Sequence, residues 1–462
     1  MQKKSENKVI NMEAYKEFQK QHLQAKFNEF IPSDLAKYII DSEDEKEKKW
    51  LYVSEESRFY SYNQNEGYWK NTEDDYLIAM IREYLREINK KWEKRHNVKE
   101  VKAAMKSILL DPQNCKLLKA TYNKNKKHIN LRNGMLNIED GKITDHSYDY
   151  YSKFQLPVNY NTEAKYDFWE RTLNDWVNDK KTIKFLQEYI GYCLLPDTSL
   201  QLAVILLGDG DNGKSTFLDI ISELFGETVS EVPLEEIPKR FQTKRVRDKL
   251  INICSDIESG YLKETGTIKK LIRGETLSGE YKGGKSFEFR PIARLIFSAN
   301  KMPRVRDKSH GWYRSFQLVE FPNKFTKGTD NHDRYFKDKL TNNLSGILNW
   351  ALEGLKRLNR NNRFTQSEKV EEQKRLYINE NDSIVSFLSD NTIKNTESKV
   401  YGTKLYNFYK EYCKSQSLEI QSRKEFTSIL KNNGFESKSA YVNRDIGTQK
   451  CYHGLEMLDI EM

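Results

Sequence analysis

Residues 201–225 read QLAVILLGDGDNGKSTFLDIISELF, and this stretch decides the fold. An apolar run, Leu202 to Leu207, gives way to Gly208-Asp209-Gly210-Asp211-Asn212-Gly213-Lys214-Ser215-Thr216 and then to an amphipathic run ending at Phe225. The pattern G-x-x-x-x-G-K-[ST] therefore lies between a predicted strand and a predicted helix, the context that gives it meaning. Glycines let the backbone curl so that successive N–H groups point at one phosphate, and the following helix adds the positive end of its dipole. Residues 208–216 are thus the expected nucleotide-binding loop. Lys214 is placed to reach the β- and γ-phosphates of ATP, and Ser215 to ligate Mg²⁺.

Three further apolar runs follow. Leu250 to Cys254 ends in Ser255-Asp256-Ile257-Glu258, Ala293 to Phe297 ends in Ser298-Ala299-Asn300, and Phe316 to Val319 ends in Glu320-Phe321-Pro322. Short, nearly continuous apolar strands are those buried on both faces, so the expectation is an α/β fold with a parallel central sheet between helices. In such sheets ligands bind beyond the carboxyl ends of the strands, where this chain puts a phosphate loop, two acids and an asparagine. Asp256 is expected to hold Mg²⁺ through a water, with Ser215, and Glu258 to activate the attacking water; the two acids could exchange roles. Asn300 is expected to sense the γ-phosphate. Arg314, in His310-Gly-Trp-Tyr-Arg-Ser, is a candidate cation for a neighbouring subunit's γ-phosphate.

Between the second and third of these runs, Arg273 to Phe289 carries Tyr281-Lys282-Gly283-Gly284-Lys285. A Gly-Gly pair between alternating segments predicts a tight hairpin, and Lys282 and Lys285 beside its tip suit a phosphate backbone. The whole chain has 462 residues, with 77 Lys and Arg against 68 Asp and Glu, a formal net charge of +9. That balance favours an acidic partner such as nucleic acid. The five cysteines lie far apart without a C-x-x-C pair, which argues against a disulfide framework or a zinc ribbon. No apolar run approaches the ~18 residues of a membrane span. No pair of acids stands on adjacent strands as a nucleotidyl transferase would need, so polymerisation is not expected.

Upstream, Tyr15 to Ile40 reads as helix broken near Pro32, and Asp41 to Lys49 as a charged connector. Arg58 to Tyr62 and Tyr68-Trp69 form an expected hairpin, its aromatics on the inner face of a small sheet. Helices are expected over Glu73–Lys94 and Val98–Leu110, and two short strands around Asn133-Gly134. Trp169 to Leu195 reads as one helix. Downstream, helices over Ser383–Leu388, Tyr401–Ser415 and Lys424–Asn432 precede a strand pair, an order that suits a winged helix. Arg423, Lys424, Arg444 and Lys450 are its candidate DNA contacts, with partner-protein docking or a plain cap as the alternative readings of the unit.

The ordered set GDGDNGKST (Gly208 to Thr216), SDIESG (Ser255 to Gly260), RGETLSGEYKGGKSFEFRP (Arg273 to Pro291), LIFSANKMP (Leu295 to Pro303) and GWYRSFQLVEFPNKF (Gly311 to Phe325) resembles superfamily 3 helicases of the phage, plasmid and poxvirus primase-helicase type. NLRNGMLNI (Asn130 to Ile138) and YIGYCLLPD (Tyr189 to Asp197) resemble that family's N-terminal helicase-associated region. ILNWALEGLKRL (Ile347 to Leu358) resembles the segment closing its ATPase domain. The resemblance implies an AAA+-like ATPase working as a ring, usually a hexamer, that translocates 3′ to 5′ on one strand. It casts Lys214, Asp256, Glu258, Asn300 and Arg314 as the catalytic set and Lys282 as a DNA contact. Two departures stand out: Asp256 occupies a position often filled by Glu, and Arg314-Ser315 replaces a pair of arginines.

The expected organisation is an N-terminal helicase-associated domain over 1–165, an ATPase domain over 166–365 and a winged-helix-like domain over 366–462. The expected activity is ATP-dependent translocation on single-stranded DNA that separates the strands of forked DNA, for a phage, plasmid or other mobile element in the cytoplasm of a bacterial host, with a separate primase or polymerase as a possible partner. Three alternatives stay open: an initiator or loader that uses ATP only to assemble, an RNA helicase of the same superfamily, and a phosphotransferase to a small acceptor.

Overall fold

The computed structural model describes residues 21, 23–41, 48–54, 56–110, 127–257, 260–282, 286–305, 307, 309–325, 335–416, 418, 420–435, 437–443 and 447–458. Glu258 and Lys285 lie outside the described residues, as do Arg444 and the first part of the helix expected from Tyr15.

The chain changes direction before Pro32, which opens the helix Pro32–Asp41. Proline suits a first helical position, where its missing N–H has no partner to lose. Strand β1 (Lys48–Val53) pairs with β2 (Arg58–Asn63), and β2 with β3 (Tyr68–Thr72), both antiparallel. β1 takes Lys48 and Lys49 from the end of the expected charged connector, because Trp50, Leu51 and Tyr52 beyond them are buried in this sheet, and residues 42–47 of the connector lie outside the described residues. The hairpin aromatics are buried as expected, but on both faces of the sheet and not on one: Phe59 joins the core with the helices, while Tyr60, Tyr62 and Trp69 cluster with Leu51 and Val53 on the other side. Helices Asp74–Ile88 and Arg95–Leu109 pack with Pro32–Asp41 through Leu35, Leu77, Ile81, Val101 and Met105. The first of them stops at Ile88 instead of reaching Lys94. Asn89 turns extended there and opens a short 3-10 turn.

Strands β4 (His128–Leu131), β5 (Gly134–Asn137) and β6 (Ile143–Thr144) form a second small antiparallel sheet. The helix expected over Trp169–Leu195 is instead two, Asp167–Val177 and Lys180–Cys193. Asn178 takes a left-handed conformation between them, and the Asp179 side chain caps the second by accepting from the Thr182 N–H at 2.8 Å. Apolar periodicity continued across this break, but an Asn-Asp pair suits a helix end and a new N-cap.

The central sheet is assembled from β7 (Ala203–Leu207), β8 (Val229–Ser230) and β9 (Ile251–Cys254), with two later strands. After β9 come the short β10 (Tyr261–Leu262), helix Gly266–Arg273 and the hairpin β11 (Leu277–Glu280) and β12 (Ser286–Phe289). Strand β13 (Arg294–Ala299), the short β14 (Arg304–Val305) that pairs with β10, and β15 (Phe316–Glu320) complete the unit. The order across the sheet is β15-β7-β13-β9-β8, all parallel. Its strands are covered on both sides. In β7, Val204 and Leu206 join one apolar layer with Trp169, Phe217 and Trp350, while Ala203 and Ile205 join the other with Trp312 and Phe316. That two-sided burial is why the runs read as unbroken apolar segments.

Helix Leu344–Asn361 packs against Lys180–Cys193 in the first layer, and Glu368–Asn381 sends Val370 and Tyr377 into the central clusters. The last unit runs helix Ser383–Asn391, β16 (Thr392–Tyr401), helices Gly402–Ser415 and Arg423–Asn432, then β17 (Ser437–Asn443) and β18 (Gly447–Met457). Its sheet order is β16-β18-β17, and its own core gathers Ile384, Phe387, Leu405, Tyr409 and Phe426. Among the described residues no helix is long and apolar enough to cross a membrane.

Candidate nucleotide site and basic hairpin

The carboxyl ends of three neighbouring strands carry the expected site residues. β7 ends at Leu207, and the loop after it turns through positive φ at Gly208, Gly210, Asp211 and Gly213. Gly213 stands at the N-terminus of helix Lys214–Phe225, where no side chain caps the first N–H groups. A Cβ there would lie 2.5 Å from the Trp176 ring, and one on Gly208 would lie 2.0 Å from Asn212 Nδ2, so both positions require glycine on steric grounds as well. Asn212 is buried and donates to the Phe321 carbonyl at 3.3 Å, while the Asp211 carbonyl accepts from the Phe325 N–H at 2.6 Å. The loop is thereby held to the segment that follows β15.

Lys214 is 4% exposed. Its Nζ donates to the Gly208 carbonyl at 2.6 Å and to Asn212 Oδ1 at 3.1 Å, curling the side chain over the loop. Burial lowers its pKa, while the negative charges of Asp256 and Asp209 oppose that change. The carboxylate of Asp256 therefore acts on the lysine although 42 residues of chain separate them. Asp256 is exposed, sits at φ +57°, and its N–H donates to Ser298 Oγ at 3.3 Å. With the Ile257 N–H on the Ser298 carbonyl at 2.9 Å, the turn after β9 is tied to β13. Asn300 follows β13 directly and is exposed.

Gly208, Asp209, Asn212 and Asn300 line one cleft of about 890 Å³, which continues over Glu320 to Gln373 and to Asp390 of the last unit. Ser215 is exposed at the start of the helix and Thr216 is partly buried. Ser215 and Asp256 are the residues that could hold a divalent ion. Among the described residues no group of three or more His, Cys, Asp or Glu could form a closed metal cage.

Arg314 is exposed and does not line this cleft. It follows the short helix His310–Tyr313, whose Trp312 and Tyr313 are buried. The segment before it is anchored by Asp307, which accepts from Lys269 Nζ at 2.5 Å, Thr265 Oγ1 at 3.0 Å and the Ser309 N–H at 3.0 Å. Burial works to raise the Asp307 pKa, but these donors outweigh it and hold the carboxyl well below its usual range. Lys269 lies on the helix that leads to the hairpin, so one carboxylate joins the Arg314 segment to that helix.

Lys282 is exposed at the hairpin tip. The stem is fixed by Arg240, which donates to both Glu280 oxygens at 2.9 and 2.8 Å, and by Thr243 Oγ1 on the Ser278 carbonyl at 2.8 Å. Sequence reading had singled out none of Asp307, Arg240 or Thr243, because their partners lie 35 to 42 residues away in the chain. In the last unit Arg423 donates to Thr403 Oγ1 at 3.0 Å and lies over the Tyr406 ring, and Lys424 is exposed at the start of the same helix.

Residues 36–178 match the model of a family described as D5 N terminal like. Residues 206–314, which hold the phosphate loop, Asp256, Asn300 and Arg314, match a family of unknown function (DUF5906). Among curated proteins the chain is 22% identical over 227 residues to "Putative helicase L207/L206" of Acanthamoeba polyphaga mimivirus, covering 46% of this chain and 24% of that protein. It is 22% identical over 271 residues to "Putative helicase 121R" of Invertebrate iridescent virus 3, covering 50% of this chain and 29% of that protein. The match thus spans only 24% and 29% of the length of these relatives. Among solved structures, the A form apo structure of the NrS-1 C terminal region superposes with a TM-score of 0.51 at 14% identity, over 92% of this chain and 100% of that one. That likeness is one of fold, extending over most of the chain, and the sequence likenesses are to D5-type proteins and to viral proteins named as helicases.

Proposed function

We propose that the chain is an ATP-dependent DNA helicase of a replication system, of the superfamily 3 type within the AAA+-like ATPases. The observation that carries the reading is the convergence at the sheet's carboxyl edge. The phosphate loop after β7, Asp256 after β9 and Asn300 after β13 come from adjacent strands, and the charge of Asp256 acts on Lys214. A cleft of about 890 Å³ beside the loop is ample for a nucleoside triphosphate. The names of the viral relatives and the D5-type match support a replicative role.

In this reading the loop N–H groups and the uncapped helix N-terminus bind the phosphates, and Lys214 leaves the Gly208 carbonyl to reach the β- and γ-oxygens. Ser215, with Asp256 through a water, would hold Mg²⁺, whose charge would offset the charge building on the phosphates. Glu258 takes the proton of the attacking water, the bond between the γ-phosphorus and the bridging oxygen breaks, and ADP and phosphate leave. Asn300 hydrogen-bonds the γ-phosphate. Arg314, exposed and outside its own chain's cleft, serves a neighbouring protomer's site in a ring, read here as a hexamer moving 3′ to 5′. Lys282 and Lys285 grip the strand. The proposed units are residues 1–165, 166–365 and 366–462. The last is a winged-helix domain, supported by its order of helix, strand, two helices and a strand pair.

Strand displacement on a forked DNA duplex tests the proposal. Wild-type chain with ATP and Mg²⁺ separates the strands, and Lys214→Ala does not. No displacement by the wild type alongside intact ATP binding would instead favour an initiator or loader, and equal displacement by the variant would refute the assigned site.

A further inference from the structure

Three cations from three parts of the chain meet at the hairpin tip. Arg58, on β2 of the N-terminal sheet, donates from Nη2 to the Tyr281 hydroxyl at 2.6 Å, with its guanidinium 5.6 Å from the ring centroid. Lys244, from the 3-10 turn Thr243–Val246, places Nζ 4.7 Å from the same ring. Lys282 follows Tyr281 in the chain. Tyr281 also stacks on Phe287, centroids 5.3 Å apart, so its ring is already engaged and is poorly placed to stack a base.

No salt bridge among the described residues fixes these cations, although the charge of Glu56 also reaches Arg58. Among the described residues, neither Arg58, Lys244 nor Lys282 forms an ion pair with a carboxylate, whereas nearby Arg240 is matched by Glu280. Glu56, two residues before Arg58, is already shared by Lys153 at 2.7 Å and Arg247 at 2.9 Å. A phenol hydroxyl orients a guanidinium without neutralising it. What such a cluster selects is a run of phosphates, bound through charge and indifferent to base.

We propose that Arg58, with Lys244 and Lys282, forms a phosphate-contacting surface for a single-stranded polynucleotide, so that the N-terminal sheet and the hairpin grip the same strand. The inference rests on the reading that the hairpin meets nucleic acid, and it adds a contact from outside the ATPase unit. Tyr281 holds the Arg58 side chain in place.

The test is the affinity of the full chain for a fluorescent oligo(dT) over a series of salt concentrations, for wild type, Arg58→Ala, Arg58→Lys and Tyr281→Phe. Arg58→Ala weakens binding and reduces the slope of log affinity against log salt by about one, the loss of one phosphate contact. Arg58→Lys keeps the slope because it keeps the charge, and Tyr281→Phe, which removes only the hydroxyl, keeps it too. A wild-type slope in Arg58→Ala overturns the inference and leaves the helicase reading standing, with Arg58 reduced to a fastening for the hairpin. A slope lost equally in Arg58→Lys and Arg58→Ala also overturns it, since charge is then not what is read. Failure of the wild type to bind the oligonucleotide removes both readings.

Discussion

Gly213 and Gly210 share a positive φ, +89° and +100°, but not a neighbourhood. A methyl group on Gly213 would run into Trp176, and one on Gly210 would meet nothing within 4 Å. Gly213→Ala is therefore expected to combine backbone strain of about 1–3 kcal/mol with displacement of the loop, lowering the melting temperature and weakening ATP binding. Gly210→Ala carries the backbone term alone, and thermal melts with ATP titrations on both variants check the difference. At Glu56, burial works to raise the carboxyl pKa, but Lys153, Tyr60 and Arg247 together lower it. A lowered carboxyl stabilises the fold above its ordinary pKa and loses that contribution as pH falls through the folded value. Glu56→Gln should thus cost about 1–3 kcal/mol near neutral pH and progressively less below about pH 4, as denaturant titrations at both pH values would record. Lys214 was legible in the sequence because its meaning lies in eight contiguous residues. Glu56, Arg58 and Asp307 were not, because each is defined by partners far along the chain.

Elements were legible where burial imposes a period and obscure where it does not. The four apolar strands were plain because both faces are covered. β16, TIKNTESKVY, is mostly exposed and polar, so nothing in its composition marks it as a strand. β1 hides behind a charged run, and the break at Asn178 sits inside continuous apolar periodicity. Arg294 shows how elements are joined by residues that no pattern announces. It is 2% exposed, and its guanidinium donates to the carbonyls of Cys193, Leu195, Asp197 and Ile292, closing the end of helix Lys180–Cys193 against β13. Arg294→Met would take a donor from each of those carbonyls, of which Leu195 keeps the Asp197 N–H at 2.8 Å. It should destabilise the chain by about 2–3 kcal/mol, read as a lower denaturation midpoint with an unchanged m-value.

For the molecule as a whole, the phosphate loop and the basic hairpin belong to one unit, while the N-terminal sheet reaches that unit through Arg58 and through the Glu56–Arg247 pair at 2.9 Å. These contacts were not legible in the sequence, because they depend on three-dimensional juxtaposition alone. Arg314 does not line the cleft beside the loop, and in the proposed ring it serves a neighbouring protomer's site. Lys214→Ala and Arg314→Ala should each be inactive alone. Mixed in equal amounts, they should regain a measurable fraction of ATP turnover, because some interfaces then pair an intact loop with an intact arginine. No recovery on mixing, from variants that still assemble, would count against a shared site. The central claim is that residues 208–216 bind ATP for hydrolysis coupled to a nucleic-acid strand. Its most direct test is ATP turnover by the full chain with and without single-stranded DNA, beside Lys214→Ala. The account predicts turnover that rises with DNA and falls by about 10²–10³-fold in the variant; turnover indifferent to both the strand and the substitution would contradict it.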